Sequence, residues 1–296
     1  MSESIALIGA GAMGFAIGTR LRAVGHSLAV YDRNPPKVQA LVAKGAVAAS
    51  SPAEAAANAD YVITCLNAAA GVESVVFAAK GAVETARPGT LIIDMSSIDP
   101  ESTRQLAARA AAAGLRWVDS PLSGGAPKAL TGQLTLMAGG GAQDVADAHV
   151  VLKDLSANYT HMGPSGAGQA TKLINQVLCG IGFLAVAEAT QLALDAGVDA
   201  AKIPTALKGG RADSAILQEY MSRYAARDYR RTGRIDNMVK DLNNVQDLAR
   251  RTHTAMPLTA ISAEVHRVLT AAGFGGEDEA ALMEYFRRSP LGAFDR

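Results

Sequence analysis

The chain has 296 residues, long for a single compact core and comfortable for two domains. Lys plus Arg and Asp plus Glu each total 28, so no charge excess points to a nucleic-acid or other polyanionic partner. No apolar stretch reads as a membrane span, and a strand starts almost at the N-terminus, leaving no signal peptide; a soluble, cytoplasmic protein is expected. Cys65 and Cys179 stand far apart in apolar surroundings and read as buried free thiols. His26, His149, His161, His253 and His266 lack metal-ligand spacing, and no metal is expected.

Taken along the chain, apolar strand candidates occur at Ile5–Ile8, Leu28–Tyr31, Tyr61–Cys65, Leu91–Asp94 and Arg116–Asp119, with further ones at Leu134–Ala138 and Tyr159–Met162. Helical stretches such as Met13–Val24, Pro36–Lys44 and Pro100–Ala113 separate the first five. This rhythm predicts parallel strands with crossover helices, an α/β fold with a doubly wound, Rossmann-type sheet. After Gly163-Pro164-Ser165-Gly166 the pattern turns helical: one long helix to about Ala196, then candidates at Ala200–Leu207, Ser214–Arg227, Ile235–Thr252, Pro257–Ala272 and Asp278–Arg287. The expected organisation is a dinucleotide-binding domain over 1–163 and an all-α domain over 164–296 that begins with the long helix. Such a helical domain often needs a second subunit over its apolar faces, so a homodimer or homotetramer is expected.

The strand Ile5–Ile8 runs into Gly9-Ala10-Gly11-Ala12-Met13-Gly14 and then a helix. Gly9 allows the tight turn, Gly11 lets a pyrophosphate approach the main chain, and Gly14 lets the helix pack on the strand. The helix N-terminus, with Ala12 and Met13, presents free N–H groups to the phosphates. Asp32 follows Gly9 by 23 positions at the end of the next strand, where a carboxylate can accept both adenosine ribose hydroxyls. Asp32 favours NAD(H), since it would repel a 2′-phosphate; the neighbouring Arg33 could turn toward such a phosphate and admit NADP(H).

Three further segments carry candidate chemistry. Ser123-Gly124-Gly125 lies just past a strand's carboxyl end, where it reads equally as a carboxylate cradle or a tight turn. Lys172 and Asn175 sit three apart on one face of the long helix. Lys172 is either a desolvated acid/base or a snorkelling side chain at the domain seam. Lys240-Asp241, alone, reads as a surface ion pair.

Together these motifs resemble the β-hydroxyacid dehydrogenases, the family of 3-hydroxyisobutyrate dehydrogenase, over essentially the whole chain. The resemblance rests on Gly9 to Gly14, Asp119 to Gly125, Gly166 to Asn175 and Lys240-Asp241-Leu242 in the family's order and spacing. It is strongest to the tartronate semialdehyde (2-hydroxy-3-oxopropionate) reductase branch, through Ser123 to Ala129, Lys172 to Val177, Gly233 to Asp236 and Met256 to Ala260. The resemblance implies Lys172 as general acid/base and Asn175 as its partner in placing a small carboxylate substrate. It also implies Ser123, Gly124 and Gly125 on the substrate carboxylate, Ser97 beside nicotinamide and substrate, and Lys240 on the cofactor. Leu66 and Asn67 stand where the family's usual leucine-proline passes the cofactor, and Phe15-Ala16-Ile17 replaces its usual proline and methionine after the third glycine. Arg211 is a cation that either enters the cleft, selecting a second carboxylate or a longer acid, or points outward. Threonate, 3-hydroxyisobutyrate and 4-hydroxybutyrate stand as alternative substrates, and a non-catalytic dinucleotide sensor as the alternative function.

Overall fold

The computed structural model describes residues 2–287, so 288–296 of the expected helical domain lie outside the described residues. The chain divides into two compact units that meet at Lys172 and Leu173. The first runs through β1 (Ser4–Ile8), α1 (Ala12–Ala23), β2 (Ser27–Tyr31), α2 (Pro35–Val42), β3 (Val47–Ala48), α3 (Pro52–Ala56), β4 (Tyr61–Thr64), α4 (Ala69–Phe77), β5 (Leu91–Asp94), α5 (Pro100–Ala112) and β6 (Arg116–Asp119). It continues with β7 (Leu122–Ser123), α6 (Gly125–Thr131), β8 (Leu134–Gly140), α7 (Ala142–Leu152), β9 (Ser156–Gly163) and the opening turns of α8 (Ala167–Asp195).

The sheet order is β3-β2-β1-β4-β5-β6-β8-β7, with β9 on β8. Strands β1 to β6 are parallel, as the alternation with helices predicted. Strand β8 runs antiparallel to β6 and β7, so the sheet is mixed at that edge. Successive residues of β1 enter opposite cores, because side chains alternate across a strand. Leu7 packs with Val30, Ile63, Ile93 and Val118; Ile8 packs with Val62, Ile92 and Trp117. Both faces are covered by helices, which is why these strands read as continuous apolar runs. Helix starts follow local chemistry: Asp99 accepts the N–H groups of Glu101 and Ser102 at the head of α5, and Ser51 accepts that of Glu54 in α3.

The second unit holds the rest of α8, then α9 (Ile203–Leu207), α10 (Ala215–Ala226), α11 (Ile235–Thr252) and α12 (Pro257–Leu269), with a closing 3-10 turn at Glu279–Glu284. No strand occurs in it among the described residues. Its core gathers Leu217, Met221, Tyr224, Ile235, Leu269 and Leu282. Regular α12 ends before the expected Ala272, in a wider-wound segment where Gly273 takes φ +94°.

The two compact units divide within α8, after Lys172, because the opening turns of α8 are hydrogen-bonded to the exits of β5 and β6. Helix α8, at 29 residues, is long and apolar enough by length and composition to cross a membrane, against the expectation of no such stretch. Gly168, Gly180 and Gly182 lie within α8 and do not interrupt it. Cys65 and Cys179 are each partly buried, and neither forms a disulfide among the described residues.

Candidate active site

The site of the first unit is built from strand exits. Gly9 leaves β1 with φ +103°, a left-handed conformation that favours glycine, and its N–H donates to Tyr31 O at 2.8 Å. A methyl group on Gly14 would stand 1.9 Å from Gly9 O, so only glycine lets α1 start this close to β1. One on Gly11 would meet nothing within 4 Å, which leaves open space in front of the helix N-terminus. Gly11 opens α1 with no side-chain cap, so the first N–H groups are available to an anion. A cavity of about 400 Å³ lies here, lined by Ala10, Gly11, Ala12, Asn34 and Lys37 among others. Asp32 stands at the end of β2; its Oδ2 accepts Ala10 N–H and its Oδ1 accepts Asn34 N–H, both at 2.8 Å. The carboxylate is thus fixed at the turn, with Arg33 exposed beside it. A strand-turn-helix with room at Gly11 and an oriented acid at Asp32 fits a dinucleotide.

The exits of β4, β5 and β6 are stitched together by buried polar groups. Leu66 N–H donates to Ser96 Oγ at 2.9 Å, while Asn67 is exposed. Thr64 Oγ1 and Ser96 N–H both donate to Asp94 Oδ1, at 2.8 and 3.0 Å. Burial pushes the Asp94 carboxyl above its ordinary range, and hydrogen bonds from Ser96 and Thr64 offset this in part. Register pairs Asp94 with Asp119 on the neighbouring strand. Asp119 is fully buried, and its two oxygens accept Gly166 N–H at 2.8 Å and Gln169 N–H at 3.0 Å. Desolvation pushes Asp119 up to about 6; the two backbone N–H groups work against the rise and the nearby Asp94 charge adds to it.

Gln169 is also buried, accepting Ile98 N–H at 3.2 Å and donating to Ser96 O at 2.8 Å. Half-buried Ser97 lies on the segment Gln169 holds. Past Asp119 the chain reaches Ser123, then Gly124 and Gly125 with φ +118° and +72° at the head of α6. These left-handed values fit a tight turn that also exposes backbone N–H groups, so the two readings of this segment are compatible. Lys172 follows Gln169 by three residues on α8 and is only 9% exposed. The first unit therefore brings the segments of Ser97, Ser123 and Lys172 onto one hydrogen-bonded frame.

In the second unit, Asn175 Nδ2 donates to Gln176 Oε1 at 2.8 Å, and Gln176 Nε2 donates to Asp241 Oδ2 at 2.6 Å. Asp241 Oδ1 lies 3.1 Å from Lys240 Nζ. The ion pair expected of Lys240 is present, but it belongs to a chain that reaches Asn175. Arg211 is exposed in the turn between α9 and α10. Sequence reasoning gave no role to Asp119, Gln169 or Gln176, although all three lie inside motifs it quoted. The available signal was a carboxylate or amide within four positions of a proposed functional residue.

Against known proteins, the model for the NAD binding domain of 6-phosphogluconate dehydrogenase matches residues 4–163. That for the NAD-binding of NADP-dependent 3-hydroxyisobutyrate dehydrogenase matches residues 166–286. The chain is 34% identical to an L-threonate dehydrogenase of Cupriavidus necator, over 97% of each chain. It is 32% identical to an NAD-dependent L-serine dehydrogenase of Pseudomonas aeruginosa, over 96% of this chain and 98% of that one. A 3-hydroxyisobutyrate dehydrogenase of Mycobacterium tuberculosis, solved with L-serine, superposes with a TM-score of 0.87 at 29% identity, covering 97% of this chain and 100% of that one. With two family models covering nearly its whole length and relatives of this identity, the chain belongs to the β-hydroxyacid dehydrogenases, NAD(P)-dependent oxidoreductases of the 3-hydroxyisobutyrate dehydrogenase type.

Proposed function

We propose that this family member interconverts a short 3-hydroxy acid and its 3-oxo acid, with Lys172 as general acid/base and 2-hydroxy-3-oxopropionate, reduced to glycerate, as the first substrate to test. The observation that carries the reading is Lys172 itself, 9% exposed on the helix whose opening turn is bonded to the β6 exit. A lysine is costly to bury without a task. The dinucleotide, when bound, supplies or takes the hydride at the substrate's carbonyl carbon. In reduction the Lys172 ammonium donates its proton to the carbonyl oxygen, and in oxidation the neutral amine removes the hydroxyl proton. Its positive charge also stabilises the developing oxyanion. Ser123 Oγ and the N–H groups at Gly124 and Gly125 hold the carboxylate, Asn175 orients the reacting oxygen one helical turn from Lys172, and Ser97 faces the substrate. Gly9, Gly11, Ala12, Met13 and Gly14 receive the pyrophosphate, and Asp32 the adenosine ribose, which favours NAD(H).

A second substrate, L-threonate, is favoured by the Cupriavidus necator relative. The discriminating experiment is a panel followed through the absorbance of the reduced nicotinamide. Tartronate, succinic and methylmalonate semialdehydes are given with NADH, and glycerate, L-threonate and 3-hydroxyisobutyrate with NAD. Strong turnover of tartronate semialdehyde supports the first reading, and silence there with oxidation of threonate supports the second. Activity confined to the longer succinic semialdehyde, lost in Arg211→Ala, gives Arg211 a substrate role. Silence on all of them despite tight NADH binding overturns the enzyme reading in favour of a sensor.

We also propose a homodimer or homotetramer. Ile174, Leu178 and Leu192 on α8 and Leu258 and Ile261 on α12 are 60, 69, 70, 62 and 59% exposed, more apolar surface than a helical unit leaves in water without cost. Light scattering that finds only monomer contradicts this.

A further inference from the structure

Asp119 carries a charge that the proposed reaction does not use, in a place where a charge is expensive. It is fully buried at the end of β6, beside the buried Asp94 of β5, which is the titratable group next to it. Both of its oxygens are spent on the head of α8: Oδ1 on the N–H of Gly166, the residue just before the helix, and Oδ2 on Gln169 N–H. A carboxylate on the first N–H groups of a helix meets both their hydrogen-bonding need and the positive end of the helix dipole.

The glycines around it make room for this contact. A methyl on Gly139 would lie 2.7 Å from Asp119 Oδ1, and one on Gly168 2.7 Å from Asp119 Oδ2 and 2.3 Å from Met137 O. Gly139 of β8 and Gly168 of α8 therefore admit the carboxylate to the helix end. Gln169, in the same turn, ties α8 to the β5 exit through Ser96 O and Ile98 N–H. Lys172 lies one turn further along the helix. Four residues after Asp119 the chain reaches Ser123.

We propose that Asp119 is a positioning residue, with Gln169 as its second strut: together they fix the turn of α8 that bears Lys172 against the strand exits that bear Ser97 and Ser123–Gly125. The inference rests on Lys172 being the general acid/base. In this arrangement the geometry needed for proton transfer is set by a buried carboxylate that never touches substrate, and loss of its charge slows the chemical step without emptying the dinucleotide site.

The test uses the full chain carrying Asp119→Asn, which keeps the shape but turns an NH2 group toward one of the two helix N–H groups. In the protein without added dinucleotide, amide hydrogen exchange at Gly166 and Gln169 is expected to rise about tenfold, with the amides of β1 unchanged. Turnover per dinucleotide-binding site is expected to fall about tenfold or more, and the dinucleotide Kd to stay within about twofold. The primary deuterium isotope effect on kcat is expected to increase, as the chemical step becomes slower than the others. Unchanged exchange at these two amides, or unchanged turnover, overturns the proposal. So does loss of dinucleotide binding in step with turnover, which would mark Asp119 as a support of the whole sheet.

If Asp119→Asn does not fold, Gln169→Leu serves as the second variant. It is expected to show faster exchange at Ile98 and the same pattern in kcat, isotope effect and dinucleotide Kd, and wild-type behaviour in it overturns the proposal. Normal turnover in Asp119→Asn beside an inactive Lys172→Ala defeats this inference alone. Normal turnover in Lys172→Ala defeats the reading on which it rests.

Discussion

The Gln176 amide donates to Asp241 Oδ2 at 2.6 Å, joining α8 to α11 across 65 positions of sequence and linking Asn175 to the Lys240–Asp241 pair. Both residues are buried, at 8 and 7% exposure, so the carboxylate depends on this amide and on Lys240 for its compensation. A lysine that sequence alone read as a surface ion pair is thereby connected to the proposed substrate-orienting amide.

Gln176→Leu removes the amide's hydrogen bonds with Asn175 and Asp241 and leaves Asp241 short of a partner. The expected cost is about 1.5–3 kcal/mol of stability, the usual scale for a hydrogen bond to a charged group, read as a lower urea midpoint at unchanged slope. Because Asn175 loses its orientation as well, kcat is expected to fall about tenfold. A variant with wild-type midpoint and turnover would show the chain to be incidental.

Asp32 predicts cofactor choice. With both oxygens held by backbone N–H groups it cannot swing away from a 2′-phosphate, so KM for NADH is expected to be lower than for NADPH by about tenfold or more. Asp32→Ser is expected to narrow or reverse that ratio. A wild-type preference for NADPH would mean that the exposed Arg33 dominates.

His266 predicts a pH dependence of stability in the second unit. Its ring is buried with Nδ1 2.7 Å from Ser262 O and Nε2 3.1 Å from Glu279 Oε2, so acceptors face both nitrogens and the doubly protonated ring suits the site. Burial opposes the charged form, but the hydrogen bond and charge of Glu279 and the Ser262 carbonyl outweigh it and raise the pKa above 6.5. A raised histidine pKa stabilises the fold fully below the unfolded value and loses that contribution as pH climbs through the folded one. The unfolding free energy is therefore expected to decline from pH 6.5 upward, and His266→Gln to flatten the decline. An identical pH slope in the variant would contradict this.

Much of the fold was legible because local chemistry decides it. Strand–helix alternation gave β1, β2, β4, β5 and β6 as parallel, and the Gly9–Gly14 turn marked the switch from strand to helix. Strands β3 and β7, of two residues each, are too short to carry a period. The antiparallel course of β8 depends on tertiary pairing, which its apolar pattern does not encode. At the site, residue types at fixed spacing exposed the Asp32 turn and the Lys172 helix. The struts stayed hidden because their partners are remote: Asp119 meets α8 47 and 50 positions later, and Gln169 reaches back 71 and 73 positions to β5's exit. Arg211 illustrates the reverse limit, a cation notable in sequence that the structure leaves exposed.

The most direct test of the account is Lys172→Ala, assayed with the best substrate of the panel and with NADH binding followed separately by fluorescence. The account predicts a folded protein that binds NADH as the wild type does and loses turnover by about a hundredfold or more, the scale of a lost oxyanion-stabilising group. Near-normal turnover with intact binding would contradict it.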